Sequence, residues 1–301
     1  MSPNPSEAEK EYARESNLAF YEGEDRIISA SEMRAELKKT SKNEVRFYSG
    51  IPDLDKITEG FVGGELVAIS GPTKNGKTLL AQTLTVKFNK AEINSLWFSF
   101  EVPTRQFMTQ LPDTCEFYLP KILVPHNPNW LDDRIVESKH KFNTRAVFID
   151  HLHYLIDMEI GRKSISIDIG AVVRRLKRIA IRHNIVLFLL CHSTKGQGPM
   201  GEIRELGAMD LRDSSFIPQE ADTTWIVQRK INDKKEFDNK AMLKICNHRR
   251  TGAMDKRINL IKTGQLFEQY IEEGKEIKEV TYYGDTIKSL DGGNGDDSLP
   301  Y

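Results

Sequence analysis

Eight consecutive residues carry the plainest chemistry: Gly71, Pro72, Thr73, Lys74, Asn75, Gly76, Lys77 and Thr78. They fit GxxxxGK[ST], in which backbone N–H groups wrap a phosphate, the lysine reaches the terminal phosphates of a nucleotide and the hydroxyl ligates Mg2+. An ordinary glycine-rich turn can show the same octet, so its flanks must decide. The apolar run Leu66 to Ile69 before it is strand-like, and TLLAQTLTVKF after it suits a helix. A helix starting near Lys77 would aim its positive N-terminal end at the same anion.

Three polar residues end apolar runs elsewhere. Glu101 follows SLWFSF (95–100), where a carboxylate could take a proton from water attacking a terminal phosphate. The alternative is a plain acid at a helix start. Asp150 ends RAVFI (145–149), as an acid does when it holds Mg2+ through water beside a phosphate loop. His192 ends IVLFLLC (185–191) and could contact the terminal phosphate and report hydrolysis to the loop that follows, or be a surface residue. That loop, Thr194 to Ser215, is long and glycine-rich and carries Lys195, Arg204 and Arg212. Loops of this length are functional or disordered, and its cations suit the phosphates of a single nucleic-acid strand. Finally, Asn247 to Gly252 joins two late strands through Arg249 and Arg250. These arginines are either solvated or a charge-neutralising aid to phosphoryl transfer at a neighbouring subunit's nucleotide.

The elements that must position these residues form a pattern. From Val45 onward, apolar strands alternate with amphipathic helices. Ile169, Val172, Val173, Leu176, Ile179 and Ala180 repeat at helical spacing, while Arg174, Arg175, Lys177, Arg178 and Arg182 take a face expected to be solvated. Alternation implies a mostly parallel sheet flanked by helices, with ligands at the carboxyl ends of its strands. After Thr223 come successive strands, TTWIVQR, AMLKICN, RINLIK and QLFEQYI, expected as an antiparallel extension. Residues 1–45 read as a polar arm, disordered to about residue 25, with one helix that Ser31 could cap. Residues 46–283 read as one α/β domain, and residues 284–301 as a disordered acidic tail.

Composition sets bounds. The 301 residues carry a net charge of −1, so any contact with nucleic acid must come from local basic clusters. Cys115, Cys191 and Cys246 are few and far apart, against a disulfide framework or a zinc site, and a reducing cytoplasm is the expected location. No apolar run approaches a membrane span.

The order GPTKNGKT, FSFE, AVFID, LLCHSTKG, DLRDSSFIPQEAD and NHRRTG resembles the motor domain of hexameric replicative DNA helicases of the DnaB-like, RecA-fold group, from roughly Tyr48 to Ile271. His192, where bacterial DnaB has glutamine, and the RxTG run resemble most the helicase halves of podophage primase-helicases and of mitochondrial Twinkle. The resemblance implies a RecA-like P-loop NTPase core in a hexameric ring, ATP or another NTP with Mg2+ at each interface, and 5′ to 3′ translocation on single-stranded DNA. It implies that Lys77 and Thr78 bind triphosphate and Mg2+, that Glu101 is the catalytic base, Asp150 the second metal-site residue, His192 the phosphate sensor and Arg249 a finger acting in trans. Asn247 departs from the lysine that usually supports that finger, and Ser215 from the glycine after DLR[DE]S. The first 45 residues hold no room for a primase or DnaB-type N-terminal domain. The ending DDSLPY resembles the acidic tip of single-strand-binding proteins, which implies a replication partner such as a polymerase. A phage-encoded chain would work in its host's cytoplasm. The alternatives are a RecA- or RadA-like recombinase, or an accessory loader or mediator that binds DNA without unwinding it.

Overall fold

The computed structural model describes residues 7–23, 26–40, 46–123, 129–156, 165–193, 205–211, 216–231 and 237–271. The chain divides into two units between Glu44 and Val45. In the first, α1 (Glu7–Ala19) corrects the expectation of disorder before residue 25. Its sequence EAEKEYARESNLA is dominated by Ala, Glu, Lys, Arg and Leu, all strong helix formers. The helix α2 (Ala30–Thr40) begins two residues earlier than a Ser31 cap would allow. Ser29 supplies the hydroxyl instead, accepting the Glu32 N–H at 3.1 Å.

The second unit opens with β1 (Arg46–Phe47), α3 (Pro52–Thr58) and β2 (Phe61–Val62), then β3 (Leu66–Ser70) and α4 (Lys77–Lys90). There follow β4 (Ser95–Ser99), α5 (Thr104–Met108), α6 (Trp130–Phe142), β5 (Ala146–Asp150), α7 (His153–Ile156), α8 (Ile165–His183) and β6 (Val186–Leu190). Then come a 3-10 turn (Ala208–Asp210), α9 (Phe216–Glu220), β7 (Thr223–Ile231), β8 (Phe237–His248), β9 (Met254–Thr263) and β10 (Leu266–Gln269). Among the described residues an eight-stranded sheet runs β10-β9-β8-β7-β3-β6-β5-β4. Strands β4, β5, β6, β3 and β7 are parallel, and β7 to β10 antiparallel, which is the expected α/β class. One detail differs. The first of the late strands, β7, lies parallel beside β3 (Val67 opposite Thr223) and so joins the two halves.

Both faces of the parallel strands are covered, which is why they read as continuous apolar runs. Val67, Ile69, Trp97, Phe148, Phe188 and Trp225 face the α4 side, with Leu80, Leu84 and Phe88. Leu66, Ala68, Phe98, Val147, Ile149, Leu187 and Leu189 face the other side with Ile135, Ile169, Val173 and Leu176. Trp97, Phe148 and Phe188 are opposite one another in register across β4, β5 and β6, stacked at 4.7 and 4.6 Å. Such pairs add about 0.5–1.5 kcal/mol each beyond area burial, so this ladder fixes the relative heights of the three strands whose ends carry Glu101, Asp150 and His192.

Candidate active site

The site is assembled at the carboxyl edge of β3, β4, β5 and β6. The loop Gly71 to Gly76 leaves β3 and enters α4 directly. Two of its glycines are required by close approach. Gly71 has φ +149°, and a Cβ there would lie 2.2 Å from the Val227 carbonyl oxygen; Gly76 has φ +97°, and a Cβ would lie 2.9 Å from the Phe267 ring. The antiparallel extension thus presses on the loop from β7 and β10. Asn75 adds a third tie, its Oδ1 accepting the Arg229 N–H at 2.8 Å while its Nδ2 donates to Thr73 O at 3.1 Å. The Lys77 Nζ donates to Gly71 O and Pro72 O at 2.9 and 3.1 Å, which holds the ammonium at the loop.

Burial shapes the charges here. Desolvation pushes the Lys77 ammonium below its ordinary pKa, against the pull of Asp150 and Glu101. Asp150, 1% exposed, is pushed up to about 6, mainly by desolvation, with Glu101 adding to the rise while the Thr78 hydrogen bond and Lys77 oppose it. The Thr78 hydroxyl donates to Asp150 Oδ2 at 2.8 Å. A hydroxyl and a carboxylate converging in a buried spot are the donors a hard, oxygen-seeking cation takes, and added positive charge would relieve the cost of ionising Asp150.

The neighbouring strand ends bring three more groups. Phe100 and Glu101 donate their N–H groups to Asp150 O at 2.7 and 3.3 Å, which seats the end of β4 on β5. Glu101 Oε2 lies 3.3 Å from Nδ1 of His151, and the His151 and His192 rings meet edge to face with centroids 4.4 Å apart. The Ser193 N–H, just past β6, donates to Gly71 O at 3.4 Å, so the strand end bearing His192 touches the phosphate loop itself. Among the residues singled out from sequence, the loop octet, Glu101, Asp150 and His192 all meet on this edge. His151 is not legible in the sequence, because the residue after a strand-ending aspartate carries no signal of its own until the fold sets it against Glu101 and His192.

Arg249 lies elsewhere. Its N–H bonds Asp222 O at 2.7 Å, just before β7, and Asp222 N–H bonds Leu66 O at 2.9 Å at the start of β3. It is therefore at the amino edge of the parallel strands, a β3 length of five residues, roughly 16 Å, from its own phosphate loop. Its guanidinium donates to Gln219 O at 2.7 Å, sits 3.7 Å from Asp222 Oδ1, and is 56% exposed. Arg250 differs from the solvated reading: it donates to Glu65 Oε1 at 2.8 Å, Thr58 O at 2.7 Å and Gly60 O at 2.6 Å. Lys177 also departs from its expected solvated face, donating to Asp222 Oδ2 at 2.6 Å and Gly64 O at 2.8 Å. Together Gly63, Glu65, Lys177, Asp222, Arg249 and Arg250 line a cavity of about 320 Å³.

Lys195, Arg204, Arg212 and Ser215 lie outside the described residues, as does the acidic tail. The described part of that loop, 205–211, is anchored to the sheet. Glu205 pairs with Lys244 and Arg257 at 2.8 Å each, Leu206 N–H donates to Gln228 Oε1 at 2.9 Å, and Leu211 bridges to Ser193. No described helix is long and apolar enough to cross a membrane.

Comparison with known proteins bears on this arrangement. Residues 125–269 match the family model for the DnaB-like helicase C terminal domain. The replicative DNA helicase DnaB of Rickettsia conorii (strain ATCC VR-613 / Malish 7) is 25% identical over 246 residues, covering 67% of this chain and 49% of that protein. Its counterpart in Rickettsia prowazekii (strain Madrid E) is 24% identical over 246 residues, covering 67% and 50%. The chain spans about half the length of the curated relatives it matches. Of solved structures, a separately determined ATPase domain superposes with a TM-score of 0.63 at 18% identity, covering 79% of this chain and 96% of that one. A DnaB-like replicative helicase, studied with its interactions with primase, gives 0.63 at 18%, covering 86% and 71%. These two likenesses show a shared fold, and with the family model matching across β5 to β10 of that same sheet, residues 125–269 are similar to the DnaB-like helicase C terminal domain.

Proposed function

We propose that the chain is the motor of an ATP-driven DNA helicase of the replicative type, working as a ring of identical subunits, hexameric by analogy with the family, on single-stranded DNA. The observation that carries this reading is the split of its functional residues between opposite edges of one sheet. Lys77, Thr78, Glu101, Asp150 and His192 share the carboxyl edge, whereas exposed Arg249 stands at the amino edge, where it can serve only another copy's nucleotide.

In this reading the loop amides and Lys77 hold the phosphates of ATP or another NTP, the lysine exchanging the Gly71 and Pro72 carbonyls for phosphate oxygens. Thr78 and Asp150 would hold Mg2+, which when bound neutralises charge on the phosphates. Glu101 accepts the proton of the attacking water. As that water's oxygen bonds to the terminal phosphorus, the bond to the bridging oxygen breaks and its electron pair leaves with the diphosphate. Arg249 of a neighbouring subunit stabilises the charge that develops, an effect worth about 10³–10⁵ in rate. His192 senses the terminal phosphate, and the Ser193 contact with Gly71 gives its strand a direct link to the loop. The loop beyond Thr194, with Lys195, Arg204 and Arg212, would grip the DNA backbone, and the acidic tail would engage a replication protein such as a polymerase.

Strand displacement on forked DNA tests the whole reading. ATP-dependent unwinding that favours a 5′ tail is expected. Hydrolysis stimulated by single strands without any displacement would move the chain to the strand-exchange or accessory ATPases. For the DNA loop, removing Lys195 and Arg204 together should flatten the salt dependence of single-strand binding by about one unit of slope for each contact. An unchanged slope would place the DNA contact elsewhere.

A further inference from the structure

We propose that Glu101, His151 and His192 form a second cation site, suited to a borderline-soft divalent ion of the Zn2+ class and separate from the hard-ion donors Thr78 and Asp150. Each residue comes from the end of a different strand, and each offers one ligand atom, all within 4.8 Å of one another. The 3.3 Å between Glu101 Oε2 and His151 Nδ1 equals the separation of two ligands on one tetrahedral Zn2+, roughly 3.3–3.4 Å for bonds of about 2.0–2.1 Å. The two imidazoles meet at 69° rather than face to face, so their edges can turn toward a common point.

Donor chemistry separates the two sites. Two imidazoles and one carboxylate suit Zn2+, Co2+, Ni2+ or Cu2+, whereas hydroxyl and carboxylate oxygens suit Mg2+. Three protein ligands leave a fourth position open, as in reactive rather than structural zinc sites. The surroundings fit as well. The His151 side chain is 12% exposed and meets the Tyr154 ring edge-on at 5.1 Å, while Tyr154 stacks on Phe100 at 6.0 Å. This apolar wall lowers the local dielectric on one side. On the other, Glu101 is 42% exposed, which gives the ion a way in.

The binding stands on these groups alone. Its consequence rests on the functional reading above: an ion held by Glu101 and His192 takes the lone pairs of the proposed base and immobilises the proposed sensor. Zn2+ would then switch hydrolysis off while Mg2+ supports it.

The test uses the full chain without a histidine tag, stripped with EDTA and kept in excess Mg2+. Titration with Co2+ should give the intense visible bands of a four-coordinate site, and Zn2+ should quench them. His151→Gln and His192→Gln should each weaken Co2+ binding by more than the about 10–100-fold that loss of an outer partner costs. Absence of the bands, loss of Co2+ to excess Mg2+, or equal binding by both folded variants would overturn the site. In a second measurement, Zn2+ should inhibit nucleotide hydrolysis by the wild type, and His151→Gln should need at least about tenfold more. Co2+ bound as expected with hydrolysis unaffected would leave the cation site standing and remove Glu101 and His192 from the roles of base and sensor.

Discussion

The two edges of the parallel sheet treat buried charge in opposite ways. At the amino edge the charged groups are met by opposite charges: Arg250 by Glu65 and Lys177 by Asp222, each at 2.8 Å or less and each backed by backbone carbonyls, with Arg249 sharing Asp222 at 3.7 Å. At the carboxyl edge they are not. Asp150 is buried with a hydroxyl rather than a cation against it and is pushed up to about 6, and Lys77 meets only carbonyls and is pushed down by the same burial. The first arrangement holds the fold. The second leaves charge to be satisfied by something brought in, the usual mark of a binding site.

The largest expected effect breaks the symmetry between two neighbouring arginines. Arg249→Ala should lower hydrolysis by about 10³-fold or more with little change in nucleotide affinity, and mixing with Lys77→Ala subunits should restore some activity at mixed interfaces. Failure of recovery in confirmed co-assemblies would remove Arg249 from a role in trans. Glu101→Gln comes next, with hydrolysis reduced about 10²–10⁴-fold and binding retained; turnover at the normal rate would mean that Glu101 is no base.

Arg250→Ala should act on stability instead. It leaves the Glu65 carboxylate, 7% exposed, without its guanidinium, and stranding a buried charged acceptor costs about 3 kcal/mol. For a domain of this size that is a fall in Tm of roughly 6–12 °C. A melt unchanged from wild type would show the amino edge to be less dependent on its pairs than the geometry implies.

The smallest effect sharpens the contrast through pH. Asp150 has its folded pKa raised from 3.8 to about 6, so its contribution to stability is complete below about pH 4 and is lost as pH rises through 6. At pH 8 the buried carboxylate costs about 3 kcal/mol. In EDTA, Asp150→Asn should therefore melt above the wild type at pH 8, with the gap closing as pH falls toward 4. The same variant should lose Mg2+-dependent hydrolysis, and wild-type Mg2+ affinity should fall below pH 6. A melting gap independent of pH would mean that Asp150 is not the strained group.

Several parts of this molecule were legible as sequence because their signals are local. The octet from Gly71 to Thr78 encodes a loop whose glycines need their own backbone angles, and the runs ending at Asp150 and His192 are unbroken because both faces of each strand are buried. Where local signals misled, a partner distant in sequence was the cause. Arg250 and Lys177 sit in stretches that look solvated, yet Glu65 lies 185 residues from the first and Asp222 45 from the second. The helix α1 escapes a sequence reading for the opposite reason: its charged composition resembles a disordered leader, and composition does not separate the two.

By itself, then, the sequence determined the phosphate loop, the α/β alternation, and which acid and which histidine end which strand, since each rests on a handful of adjacent residues and their backbone geometry. Only the tertiary structure decided that β6 lies between β3 and β5, which brings His192 and His151 together beside Glu101, and that Arg249 faces away from its own loop. Strand order and register come from packing two apolar faces and an aromatic ladder across strands far apart in the chain, and no local window contains that information.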